Sequence, residues 1–162
     1  MAYAATAAFA ALLILPQSLS AQTVPDFSGT WQMDVDRSQA PHQGEPFRMV
    51  TFVIAQSEGQ IRIDATRGNE KDSVLYPLTK SRAAVSSDAT GDAQAYWDGD
   101  RLITETHRTI SGQTVTVKEA HALSGNGQDM IVESTVIVQH GYSMPGARTY
   151  GSSKDVFTRA KP

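Results

Sequence analysis

Arg108, Glu119, His121 and Ser134 are the residues whose types and spacing could do chemistry in this chain. Glu119 and His121 lie two apart, a spacing that points both side chains to one face of a β-strand. A carboxylate beside an imidazole is a proton-transfer pair, and a nearby guanidinium can steady developing negative charge in a dry site. Glu119, His121 and Arg108 are therefore the candidate catalytic residues of a barrel-type cyclase or isomerase. Ser134 with His121 and Glu119 has the composition of a hydrolytic triad. A strand serine, however, brings no oxyanion hole, which needs free backbone N–H groups. Glu119 and His121 could also donate two metal ligands, but Arg108 would oppose a cation there. No pair among His42, His107, His121 and His140 has a metal-ligand spacing, so neither a metal nor a cofactor is expected. Gly-x-Ser-x-Gly, His-Glu-x-x-His and phosphate-cradling glycine motifs are absent from the sequence.

The elements that must position these groups are strands. Short β-rich runs alternate with Gly, Asp, Asn and Ser clusters, the pattern of a sandwich or barrel. The expected strands are Thr30–Val35, Met49–Ser57, Gln60–Arg67, Ser73–Leu78, Ala83–Ser87, Ala93–Trp97, Arg101–Ser111, Thr114–Leu123, Met130–Gln139 and Lys154–Arg159. Turns are expected at Glu58-Gly59, Asp98-Gly99, Gly112-Gln113 and Ser124-Gly125-Asn126-Gly127, and a long loop over Asp36–Pro46.

Turns and alternation together set a register. With Glu58-Gly59 as a two-residue turn, Ile54 faces Ile63, Phe52 faces Ala65 and Gln56 faces Ile61. With Gly112-Gln113 as the next, Arg108 faces Val117, Thr106 faces Glu119, Thr104 faces His121 and Leu102 faces Leu123. Through Asn126-Gly127, His121 faces Val132, Glu119 faces Ser134 and Val117 faces Val136. One face then gathers the apolar side chains and, among them, Thr104, Thr106, Arg108, Glu119, His121 and Ser134. Arg108 and Glu119 become diagonal neighbours and should pair if both are inside, because a lone buried charge is costly. The opposite face carries Glu105, His107, Thr109, Thr116 and Lys118, which suits water. Trp97 falls on the inner side, either as core or as a stacking wall for a ligand, and Tyr96 on the outer side.

The ends and the bulk of the chain bound its class. Ala4–Leu15 is an apolar stretch too short to span a bilayer as a helix, and Pro16 and small residues at Ser18, Ser20 and Ala21 follow it. Residues 1–21 read as a cleaved signal peptide and 22–162 as one domain, secreted or periplasmic. With no cysteine there is no disulfide and no site for lipoprotein anchoring. The formal net charge is −3 with both signs interspersed, so no basic stripe exists to neutralise phosphates and nucleic acid is excluded as a partner. No second apolar segment offers a transmembrane span. A monomer or weak homo-oligomer is expected.

Asp26-Phe27-Ser28-Gly29-Thr30-Trp31-Gln32-Met33-Asp34, Asp36-Arg37-Ser38, Trp97-Asp98-Gly99-Asp100-Arg101-Leu102, Ala122-Leu123-Ser124-Gly125-Asn126-Gly127-Gln128 and Val156-Phe157-Thr158-Arg159 carry a resemblance. In that order they resemble the lipocalin-like (calycin) β-barrel proteins, and more narrowly the secreted lipocalin-like proteins of bacteria. The resemblance implies an antiparallel up-and-down barrel of about eight to ten strands. It also implies that Arg159 packs over Trp31 and, with Gly29, closes the barrel, a structural role.

The function expected is a binding protein that holds a small hydrophobic or amphipathic molecule in the barrel. Its candidate lining is Phe52, Ile54, Ile63, Trp97, Thr104, Arg108, Val117, Glu119, His121 and Ser134, with Arg108 or His121 on a polar head group. The alternatives are the enzyme described above and a cell-envelope interaction module, which would use the Asp36–Pro46 loop or an open strand edge.

Overall fold

The computed structural model describes residues 24–39, 49–79, 93–110, 112–140 and 148–161. The apolar segment 1–21, the expected strand Ala83–Ser87, His42 and most of the Asp36–Pro46 loop lie outside them. The described residues form nine strands: β1 (Gly29–Asp34), β2 (Val50–Gln56), β3 (Gln60–Arg67), β4 (Glu70–Thr79), β5 (Ala93–Asp98), β6 (Arg101–Ile110), β7 (Gln113–Leu123), β8 (Asp129–His140) and β9 (Arg148–Arg159). Each pairs with the next, and β9 pairs with β1 to close a barrel. Every junction is antiparallel except β4–β5, where Leu78 faces Ala95 and Thr79 faces Tyr96 in parallel. Parity requires this difference from a wholly antiparallel ring: strands that alternate up and down close only in even number.

Two of the three expected registers are found. Ile54 faces Ile63, Phe52 faces Ala65 and Gln56 faces Ile61 across β2–β3. Across β7–β8, His121 faces Val132, Glu119 faces Ser134 and Val117 faces Val136. The β6–β7 register differs by two residues: Ile110 faces Gln113, Arg108 faces Val115, Thr104 faces Glu119 and Leu102 faces His121. Gly112, at φ 75°, takes the second rather than the first central position of the turn. A slip of two keeps every side chain on its own face, so alternation alone does not distinguish the registers.

One end of the barrel is closed by the segment before β1. Phe27 is wholly buried, its ring 6.1 Å from that of Trp97 and edge-on to His121 at 6.4 Å. The Gln56 side chain fastens this segment, accepting from the Phe27 amide at 3.0 Å and donating to the Pro25 carbonyl at 3.0 Å. Trp31, also wholly buried, donates its indole N–H to the Phe27 carbonyl at 2.9 Å. The Arg159 guanidinium lies 4.2 Å from the Trp31 ring centre. It donates to the carbonyls of Ser28, Gly127 and Asp26, tying the first and last strands to the β7–β8 turn. Gly29 leaves room for it: a Cβ there would stand 2.7 Å from Arg159 Nη1, and φ is 134°. Nearby, Arg37 bridges Asp34 at 2.7 Å and both oxygens of Asp129 at 3.1 Å, holding the turn after β1 against β8.

The outer face departs from expectation at Glu105. Instead of facing water it is 1% exposed, accepting from Gln94 Nε2 and from the Tyr96 hydroxyl, each at 3.0 Å. Lys118 Nζ stands 3.8 Å away and His107 Nε2 3.9 Å away. Strand order explains the gathering of donors: Gln94, Glu105 and Lys118 are successive cross-strand partners on β5, β6 and β7.

Candidate ligand-binding site

Above the closed end the barrel is hollow. A cavity of about 320 Å³ lies between β2–β4 and β6–β7. Phe52, Ile63, Ala65, Val74 and Val117 supply its apolar wall. Alternation places them there, since each stands on an inward position of its strand and pairs with an inward neighbour. Tyr76, Thr104 and Glu119 form a polar floor, and Arg67, Asp72, Thr106, Arg108 and Val115 lie toward the other end. The strand registers order these levels, with β7 running Val115, Val117, Glu119, His121 toward the Phe27 end.

Six of the ten expected lining residues border this cavity: Phe52, Ile63, Thr104, Arg108, Val117 and Glu119. The other four do not form its wall. Ile54 is 2% exposed in the core, Trp97 packs with Phe27, and His121 is wholly buried beneath the floor. Ser134 faces Glu119 from β8. Val74, Tyr76, Asp72 and Arg67 join the lining without having been expected. The signal that places them is the Gly68-Asn69 turn, which sets Arg67 opposite Glu70 and carries the inward parity of β3 into β4.

Arg108 does not pair with Glu119. Its Nη2 lies 3.4 Å from Asp72 Oδ2, with both side chains about half exposed. The two-residue slip is the cause: it moves Glu119 opposite Thr104, two rungs from Arg108. Glu119, 19% exposed, instead meets His121, with Oε2 3.5 Å from Nε2. The same Nε2 lies 3.3 Å from Thr104 Oγ1. Burial works to raise the Glu119 pKa, but the His121 hydrogen bond and charge, Arg67 and the Thr104 hydroxyl outweigh it and hold the carboxyl below its usual range. Glu119 is thus ionised at neutral pH. Tyr76 is pushed the other way, by burial first and then by the negative charges of Glu119 and Asp72, and keeps its proton. Among the described residues no group of His, Cys, Asp and Glu could hold a metal ion.

A second carboxyl stands behind the floor. Asp155 faces Val132 from β9, and its Oδ1 is buried without a hydrogen-bond partner. Burial raises its pKa, opposed by a Ser153 hydrogen bond and reinforced by the charge of Glu119. A carboxyl whose folded pKa exceeds its unfolded one binds its proton more readily in the folded protein. Stability then falls as pH rises from the unfolded pKa, about 4, through the folded value, and the loss persists at neutral pH. Asp155→Asn is expected to raise the melting temperature at neutral pH, with the gain shrinking as pH falls toward about 4. Thermal melts across that range check this; a lower melting temperature at neutral pH would show that the charge is compensated.

Neither the protein-family models nor the curated protein sequences match this chain. Similarity appears among solved structures. The abundant heat soluble (SAHS) protein of Ramazzottius varieornatus superposes with a TM-score of 0.54 at 14% identity, over 86% of this chain and 98% of that one. The fluorescent protein UnaG gives 0.49 at 16% identity, over 83% and 97%. Fatty-acid-binding protein 1 of Echinococcus granulosus gives 0.48 at 12% identity, over 83% and 98%. At these identities the likeness to the SAHS protein is one of fold, that of a closed β-barrel.

Proposed function

We propose that this protein is a binding protein that holds one small amphipathic molecule inside its barrel. The observation that carries the reading is the cavity: about 320 Å³, apolar along its wall and polar at its floor, with the opposite end of the barrel stoppered by Phe27. Ligand sites have this make-up, mostly apolar surface with a few placed polar groups. Small barrels are suited to enclose one such ligand. The apolar segment followed by small residues before Ala21 supports export, and the proposal places the carrier in the periplasm or outside the cell. The enzyme reading has less support, because His121 is wholly buried behind Glu119 and Arg108 is engaged by Asp72.

Native mass spectrometry of gently purified protein, followed by denaturing extraction, tests the reading. A stoichiometric extra mass that denaturation releases is the expected result. A clean apo mass, together with no uptake of any environment-sensitive apolar dye, would overturn it and leave the interaction module as the better account.

A further inference from the structure

The floor of the cavity is acidic, and that constrains the ligand. Glu119 borders the cavity and is ionised, while Asp155 Oδ1 lies buried and unpartnered close enough to feel its charge. His121 faces Glu119 from the same strand, at 3.5 Å. Of the two arginines of the lining, Arg108 is already bridged to Asp72 at 3.4 Å, and Arg67 reaches Glu119 through its charge, with no hydrogen bond or ion pair to it among the described contacts. A carboxylate or phosphate head placed on the floor would meet the ionised Glu119 carboxylate, with Asp155 behind it.

A positively charged head is accommodated instead. Glu119 on β7, Thr104 directly opposite it on β6, and Tyr76 on β4 present oxygen acceptors from three strands. An ammonium group carries three N–H donors arranged about one nitrogen. Hydrogen bonds between ionised partners are roughly twice as strong as neutral ones, and more so where water is excluded. The body of such a ligand would lie against Phe52, Ile63, Val74 and Val117. The volume, at the lower end of the range of about 300–1,000 Å³ for small-molecule clefts, suits a compact body and not a long acyl chain.

We propose that the cavity selects a compact amphipathic amine, its ammonium seated on Glu119, Thr104 and Tyr76 and its apolar body on the Phe52 wall. This rests on the binding reading above and specifies its ligand class.

The test is a matched series of probes titrated calorimetrically into the purified protein: 2-phenylethylamine, 2-phenylethanol and 3-phenylpropionate. The amine is expected to bind at least about tenfold more tightly than the alcohol, the margin of one charge-assisted hydrogen bond, with the carboxylate weakest. Glu119→Gln is expected to abolish that margin, so that the amine binds no more tightly than the alcohol. A carboxylate that binds tightest overturns the amine assignment and leaves the carrier reading standing. An amine margin unchanged in Glu119→Gln does the same. If none of the three binds and no dye enters, the binding reading falls and this one with it. The wild-type series decides between head groups without any variant, so a Glu119→Gln chain that fails to fold does not blunt the test.

Discussion

Trp31→Ala is expected to lower the unfolding free energy by about 4 kcal/mol, the mid-range cost of truncating a buried tryptophan. The side chain is wholly buried and is paired in register with Phe52 on one side and Arg159 on the other. Its removal opens a void at the closed end and orphans the Phe27 carbonyl that accepts the indole N–H at 2.9 Å. It also takes away the π face beneath Arg159, worth about 1 kcal/mol where the cation is partly desolvated. For a domain of this size the melting temperature should drop by more than about 10 °C. Trp31→Phe, which keeps a ring under the guanidinium, should lose less than half as much. Urea unfolding followed by circular dichroism measures both. A loss below about 2 kcal/mol for the alanine variant would mean that the Trp31–Arg159 stack does not hold the barrel closed.

Val117→Trp is expected to abolish ligand binding while sparing the fold. Val117 stands on the cavity wall, opposite Thr106 and Val136, and is only partly buried. A larger side chain at a packed core position would cost about 1–3 kcal/mol, but here the added atoms enter space that the ligand would fill. Any probe that binds the wild-type protein should lose at least about a hundredfold in affinity, with the melting temperature nearly unchanged. Titration beside a thermal melt gives both quantities. Binding that persists would place the ligand outside the barrel and favour a surface interaction instead.

The contrast between these two sites shows where the sequence is legible. Trp31, Gly29 and Arg159 could be named because the resemblance to lipocalin-like barrels implied their roles, and the structure shows the reason for the residue types: glycine leaves space beside that guanidinium, and the indole offers it a face. The β2–β3 register was legible because Glu58-Gly59 does occupy the two central positions of the turn, which fixes the pairing that alternation leaves open by two. Glu119 and His121 share a face because they lie two apart on one strand, and the structure sets them 3.5 Å apart.

Partnership was less legible than facing. The turn at Gly112 moves by one position, which shifts every β6–β7 partner by two without turning any side chain over. Arg108 thereby exchanges Glu119 for Asp72, a residue on a strand remote in sequence. Glu105 shows the same limit on the outer face. Its orientation followed from alternation, but its burial depends on Gln94 and Tyr96 arriving from β5.

While the closing pair of Trp31 and Arg159 came from the resemblance, the sequence by itself therefore determined an all-β chain, the approximate position of each of the nine described strands and which of their side chains face inward. Those properties follow from period-two alternation, turn chemistry and residue identity, all of which act over a few neighbouring residues. Only the tertiary structure decided the parallel β4–β5 junction, the pairing of Glu119 with His121 rather than Arg108, and the hollow above Phe27. These depend on how many strands close the ring and how far each slides against its neighbour, and on the volume left between walls that meet only once the barrel is closed.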